Sequence, residues 1–142
     1  MITPSQIAAL RRDYDHCFAC GQANPIGLGL DGFRVVDDEV VVDWTPRPEY
    51  RGFDATLHGG IVATALDEVL AWAAIYFEGV LAVTATLDLR YRIPSPPHTA
   101  FTLAGRVDDR SGRRLRLSGQ LRSKSGVHAE ASGVYLVRQE VG

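Results

Sequence analysis

The chain has 142 residues, 46% of them hydrophobic, which suits one folded domain around a single core. Fifteen Lys and Arg stand against 17 Asp and Glu for a formal net charge of −2, with no block of like charge, so a nucleic acid or an anionic membrane has no electrostatic foothold. The expected partner is a small molecule or a second copy of the chain.

Met1-Ile2-Thr3-Pro4 shows no basic region followed by an apolar run, so no export or membrane anchor is expected and the cytoplasm is the default location. Residues 1–15 read as a short polar helix, with Ser5 as N-cap before Ile7, Ala8, Ala9 and Leu10. Together with the Gly-, Asn- and Pro-rich stretch from Cys17 to Leu30, an irregular loop, they form a peripheral cover over residues 1–30. Cys17 and Cys20 are the only cysteines, and their spacing suits a metal knuckle or a redox pair better than a structural disulfide. Structural zinc takes four ligands, and even with His16 added a full Cys set would need a symmetric dimer. The expectation is a packed loop with two free thiols and no metal.

Gly32–Val36 and Glu39–Trp44 are β-branched runs around Asp37-Asp38, a hairpin signal ended by Pro46 and Pro48. Gly59 to about Phe77 is the one long helical candidate, proline-free, with Gly79 just past its end. Ile61, Val62, Leu66, Val69, Leu70, Trp72, Ile75, Tyr76 and Phe77 leave almost no polar stripe, which places this helix at the centre. Strands follow over 81–93, 100–107, 113–123 and 127–138. Leu87, Leu89 and Tyr91 alternate with Asp88, Arg90 and Arg92. Asp108–Gly112 and Lys124–Gly126 are short enough to join antiparallel neighbours, so the C-terminal half reads as a meander. The whole predicts one α+β domain over 1–142, a curved antiparallel sheet wrapped around a buried helix.

The chemistry concentrates in Leu57-His58-Gly59-Gly60 and, nine residues after the His, Asp67-Glu68. Gly59 and Gly60 stand where the helix begins, so a ligand can approach N–H groups that lack intrahelical partners, at the positive end of the helix dipole. Such donors form an oxyanion hole; two glycines that only permit a tight entry turn are the other reading. Asp67 sits mid-helix among Ala65, Leu66, Val69 and Leu70, where a carboxylate is costly to desolvate, roughly 10 Å along the axis from the helix start. A functional carboxylate is expected, against a buried Asp satisfied by backbone or hydroxyl groups. Glu68 points about 100° away and reads as a solvated or ion-paired residue at the sheet edge, or as an understudy to Asp67. His58 offers either a donor to a carbonyl or a helix cap.

These residues resemble the PaaI and THEM-type thioesterases of the hotdog superfamily. The His-Gly-Gly with its spaced Asp carries the likeness, with Cys17-Phe18-Ala19-Cys20-Gly21 and Asn24-Pro25-Ile26-Gly27-Leu28-Gly29-Leu30 upstream. The resemblance implies a hotdog fold and hydrolysis of a small, medium or aromatic acyl-CoA without a cofactor. It also implies a homodimer or dimer of dimers, in which Asp67 of one subunit acts, as nucleophile or general base, on a thioester held at the glycine end of the other subunit's helix. Thr84 and Thr86 stand where the family presents a hydroxyl to water or substrate; alternation puts both on one face, with Thr84 preferred. Arg90 and Arg92 also share a face, and their guanidinium groups suit the phosphates of CoA. The Asn that several members carry before the His is missing from 47–57. An acyl-CoA sensor that does not need Asp67, and a hydroxyacyl-thioester dehydratase using His58 with Asp67, are the alternatives.

Overall fold

In the computed structural model, which describes residues 2–142, the first helix α1 (Pro4–Asp13) is started by Thr3 and not by Ser5. The Thr3 hydroxyl accepts from the Gln6 N–H at 3.2 Å while the Gln6 side chain accepts from the Thr3 N–H at 2.8 Å, and Pro4 takes the first helical position. A reciprocal cap with a pre-set proline outweighs a lone serine two residues on. The hairpin forms as expected, β1 (Arg34–Val36) and β2 (Glu39–Trp44), turning through a left-handed Asp37 (φ 56°).

The long helix α2 spans Gly59–Glu78 and is closed by Gly79 at φ 63°, a backbone angle that favours glycine. By length and composition it could cross a membrane, yet one side of it lies against the sheet, with Ala65, Leu66, Val69 and Leu70 wholly buried. The other side carries the half-exposed Ala63, Thr64, Asp67 and Ala71 and the exposed Gly60, so α2 is less enclosed than its apolar sequence implied.

Four strands follow: β3 (Val80–Tyr91), β4 (Phe101–Ser111), β5 (Arg114–Ser123) and β6 (Gly126–Glu140). The single antiparallel sheet runs β1-β2-β4-β5-β6-β3. The meander therefore covers only β4 to β6: β3 crosses to the far edge and pairs with β6, leaving β4 to pair with β2. The proline-rich segment 92–100 makes that crossover. Asp108 to Ser111, expected as turn, instead extend β4 past an irregularity in its pairing between Val107 and Asp109, and only Gly112 and Arg113 turn. Gly105 and Gly119 face each other on β4 and β5 directly under α2, where added side chains would run into Val69 O at 2.9 Å and Leu70 Cδ2 at 2.9 Å. Their bare backbone lets the helix settle onto the sheet.

Candidate active site

Asp67 leaves α2 toward β3 and β6. Its Oδ1 accepts from the Thr84 hydroxyl at 2.7 Å and from the Tyr135 hydroxyl at 2.6 Å. Its Oδ2 has no hydrogen-bond partner among the described residues, and no buried side-chain oxygen or nitrogen lacks one, so Oδ2 opens to solvent. The carboxylate is therefore clamped through one oxygen and free at the other. Tyr135 is fully buried on β6, and that burial, with its bond to Asp67, pushes the phenol above its ordinary value, so it remains a neutral donor.

A β-bulge decides which threonine reaches Asp67. The β3–β6 register slips between Thr84 and Thr86, so Ala85 is an extra residue. Val80, Ala82 and Thr84 face α2 on even positions before it, and Leu87, Leu89 and Tyr91 face α2 on odd positions after it. The two threonines thus do not share a face, as strict alternation predicted. The Thr86 hydroxyl accepts from the Val134 N–H at 3.3 Å instead.

Arg90 and Arg92 keep the common face that alternation predicts, opposite Leu87, Leu89 and Tyr91. Arg90 lies on the outer face of the sheet beside Arg106, Ser118 and Glu130, and Arg92 pairs with Glu130 at 3.0 Å. Both face away from α2, and the structure does not bring them to the Asp67 carboxylate of their own chain.

At the start of α2, His58 is the N-cap: its Nδ1 accepts from the Gly60 N–H at 2.9 Å. That bond fixes Nδ1 as the unprotonated nitrogen and leaves Nε2–H as a donor. It also occupies the Gly60 N–H, so of the two glycine donors only the Gly59 N–H lacks an acceptor among the described residues. Tyr91 covers this end, its hydroxyl donating to Gly59 O at 2.6 Å. An open apolar pocket formed by Gly52, Phe53, Thr56, Leu57, His58 and Gly59 adjoins it, and Phe53 is 89% exposed. Asp67 stands eight positions after Gly59, a rise of about 12 Å along the axis at 1.5 Å per residue.

Glu68 is neither solvated nor ion-paired. Its Oε2 accepts from the Trp72 Nε1–H at 3.0 Å and lies 3.8 Å from Cys17 Sγ, and burial pushes its carboxyl up to about 7. Trp72 stacks on Phe33 with ring centroids 5.0 Å apart and Tyr76 donates to Phe33 O, so these aromatics belong to the core beneath the N-terminal segment. His128, also buried, has both ring nitrogens engaged, by Pro94 O and Ser123 Oγ, and acts as a structural strut. Tyr135 and Tyr91 were not legible as site residues: their partners lie 68 and 32 positions away, and alternation alone marks them only as inward-facing.

Residues 54–130, more than half of the chain, match the sequence model of the Thioesterase superfamily. Among relatives, the chain is 30% identical over 138 residues to the Bos taurus protein named acyl-coenzyme A thioesterase THEM4, covering 95% of this chain and 56% of that protein. It is 28% identical over 106 residues to the Xenopus laevis protein of the same name, covering 73% and 47%. The chain thus spans about half the length of these relatives. Among solved structures, a thioesterase superfamily protein superposes with a TM-score of 0.76 at 25% identity over 93% of this chain and 74% of that one. The E. coli PaaI protein of the phenylacetic acid degradation operon gives 0.79 at 18%, over 96% and 94%. A Streptococcus mutans protein solved with acetyl CoA gives 0.70 at 18%, over 78% and 91%.

Proposed function

This chain belongs to the thioesterase superfamily, and on that premise we propose that it hydrolyses a small, medium or aromatic acyl-CoA to the free acid and CoA. The reading rests above all on Asp67, whose carboxylate is fixed by two hydroxyl donors on Oδ1 and open at Oδ2. The clamp leaves Oδ2 as the one oxygen of Asp67 that water or a substrate can reach. The names of the THEM4 relatives and the acetyl CoA bound to the S. mutans protein support a CoA thioester as substrate.

The Gly59 N–H at the positive end of α2 would receive the carbonyl oxygen as negative charge develops there, and the His58 Nε2–H is a second donor at the same helix end. Asp67 Oδ2 would draw a proton from water as it attacks the carbonyl carbon, or would itself attack to form an anhydride that water opens. In either course a C–O bond replaces the C–S bond, and the departing sulfur takes up a proton. Donor and carboxylate of one helix stand about 12 Å apart, too far to meet at one carbonyl carbon. Asp67 lies against the edge strand β3, so the complementary donor would come from a second copy, in a homodimer or a dimer of dimers. A dehydratase pairing His58 with Asp67 in one chain meets the same separation, and its imidazole Nδ1 is already engaged.

Thiol release from a panel of short, medium and aromatic acyl-CoAs tests this. Wild type should turn over at least one, and Asp67→Asn, folded and of unchanged oligomeric state, should lose about 10²- to 10⁴-fold in kcat. Binding of acyl-CoA with no thiol release across the panel would replace the enzyme with a sensor.

A further inference from the structure

Cys17 and Cys20 have no part in the proposed hydrolysis, yet the fold brings both to one carboxylate. Cys17 Sγ, Cys20 Sγ and one carboxylate oxygen of Glu68 lie within 4.8 Å of one another. The loop that holds the sulfurs is tightly built: the Gly21 N–H donates to Cys17 O at 2.8 Å, the Leu28 N–H to Phe18 O at 2.8 Å, and the Leu30 N–H to Ala19 O at 2.9 Å. A side chain at Gly21 would meet Asp15 O at 2.2 Å, so only glycine permits this turn. Glu68, the third donor, comes from α2, oriented by the Trp72 Nε1–H.

Three side chains that can ligate a metal are thus packed together, and among the described residues none of the ion pairs includes Glu68. We propose that Cys17, Cys20 and Glu68 bind one zinc-like divalent metal ion, which ties the N-terminal loop to α2 and keeps its fourth position for water or another donor. Two sulfurs and one oxygen are a donor set that zinc accepts, and the Trp72 N–H supplies the outer hydrogen bond that orients a ligating carboxylate. In a tetrahedral zinc site, sulfurs at about 2.3 Å from the metal lie roughly 3.7 Å apart, within the 4.8 Å that bounds the three donor atoms here. A redox pair would need the two sulfurs alone; the half-buried carboxylate between loop and helix is what distinguishes a metal site from one. Glu68, 51 positions away from Cys17, supplies the third donor that the sequence spacing did not show and leaves one position open.

The full chain, purified under reducing conditions and stripped with a chelator, is titrated with Co(II) and then with Zn(II). The expected result is one equivalent bound, with sulfur-to-cobalt charge-transfer absorption that Zn(II) abolishes and a thermal midpoint raised by zinc. Cys17→Ser and Cys20→Ser should each weaken binding about a hundredfold or more and remove charge-transfer intensity. Should a cysteine variant fail to fold, Glu68→Gln decides: it keeps both thiols and should keep the sulfur-to-cobalt absorption while losing about tenfold or more in affinity. Two thiols that react as free groups in the presence of Co(II), with no charge-transfer absorption, would overturn the site. Binding unchanged in Glu68→Gln would overturn the assignment of the third ligand. Neither outcome touches the hydrolysis reading, which is scored by thiol release.

Discussion

Thr84 and Thr86 are the same residue two positions apart on one strand, and the bulge at Ala85 gives them unrelated neighbours. One donates to Asp67 Oδ1; the other accepts from a backbone N–H on β6. A hydrogen bond to a charged group contributes about 1.5–3 kcal/mol, and 1.4 kcal/mol is a factor of ten. Thr84→Val should therefore lower kcat by roughly ten- to a hundredfold with KM little changed, whereas Thr86→Val should stay within about twofold of wild type. Steady-state thiol release on both variants checks this, and equal losses would mean that the Thr84 bond does not orient the carboxylate. Asp67 itself was legible because a carboxylate amid Ala65, Leu66, Val69 and Leu70 has no cheap structural explanation. Its clamp was not. Tyr135 looks like any inward-facing strand residue until β6 is seen beside β3, and the choice between the threonines hangs on one extra residue that periodicity cannot register.

Among the elements, α2 was read most fully, since its residue types, its glycine closure and its uninterrupted apolar run are all local. Strand pairing is a long-range matter and was read least well: nothing in residues 80–91 says that β3 passes over its sequence neighbour β4 to reach β6. Local competition accounts for smaller shifts, such as Thr3-Pro4 displacing Ser5 as the start of α1. The seat of α2 on the sheet depends on glycines that carry no sequence motif. A Cβ at Gly119 would stand 2.4 Å from Ala104 O and 2.9 Å from Leu70 Cδ2, so backbone as well as side chain would have to move. Overpacking of this kind costs about 1–3 kcal/mol. Gly119→Ala should accordingly lower the midpoint of urea unfolding by that equivalent without changing the m-value, while Gly112→Ala, in a turn with open space around it, should show only the smaller strain of a left-handed alanine. A Gly119→Ala chain as stable as wild type would mean that α2 is not seated as closely as these contacts require.

The whole molecule leaves two surfaces that a lone chain has difficulty keeping. Strand β3 runs twelve residues along the sheet edge with Val83 48% exposed, and the neighbouring β6 exposes Leu136 at 42%. A long edge with apolar side chains is normally paired or guarded, and before the bulge at Ala85 residues 80–84 carry no charge and no proline as guard. Beside it the α2 stripe of Gly60, Ala63, Thr64, Asp67 and Ala71 is small-sided and partly open, so a second backbone can come close to Asp67. Joining two copies along β3 would cover both surfaces and bring the glycine end of one helix toward the carboxylate of the other, as the separation of about 12 Å within one chain demands. Oligomeric state and activity should then fail together. Val83→Arg puts a charge on that edge, next to Thr84 in the chain but on the opposite face of the sheet from the hydroxyls that hold Asp67; sedimentation should show wild type at twice the 15.5 kDa chain mass or four times it, and the variant in smaller assemblies, with thiol release falling in proportion to the loss of paired chains. Adding protein should restore activity per chain as the copies reassociate. A wild-type chain that sediments at 15.5 kDa while turning over substrate would end the two-chain site and require the Gly59 donor to be dispensable, which makes this the measurement on which the placement of the whole active site depends.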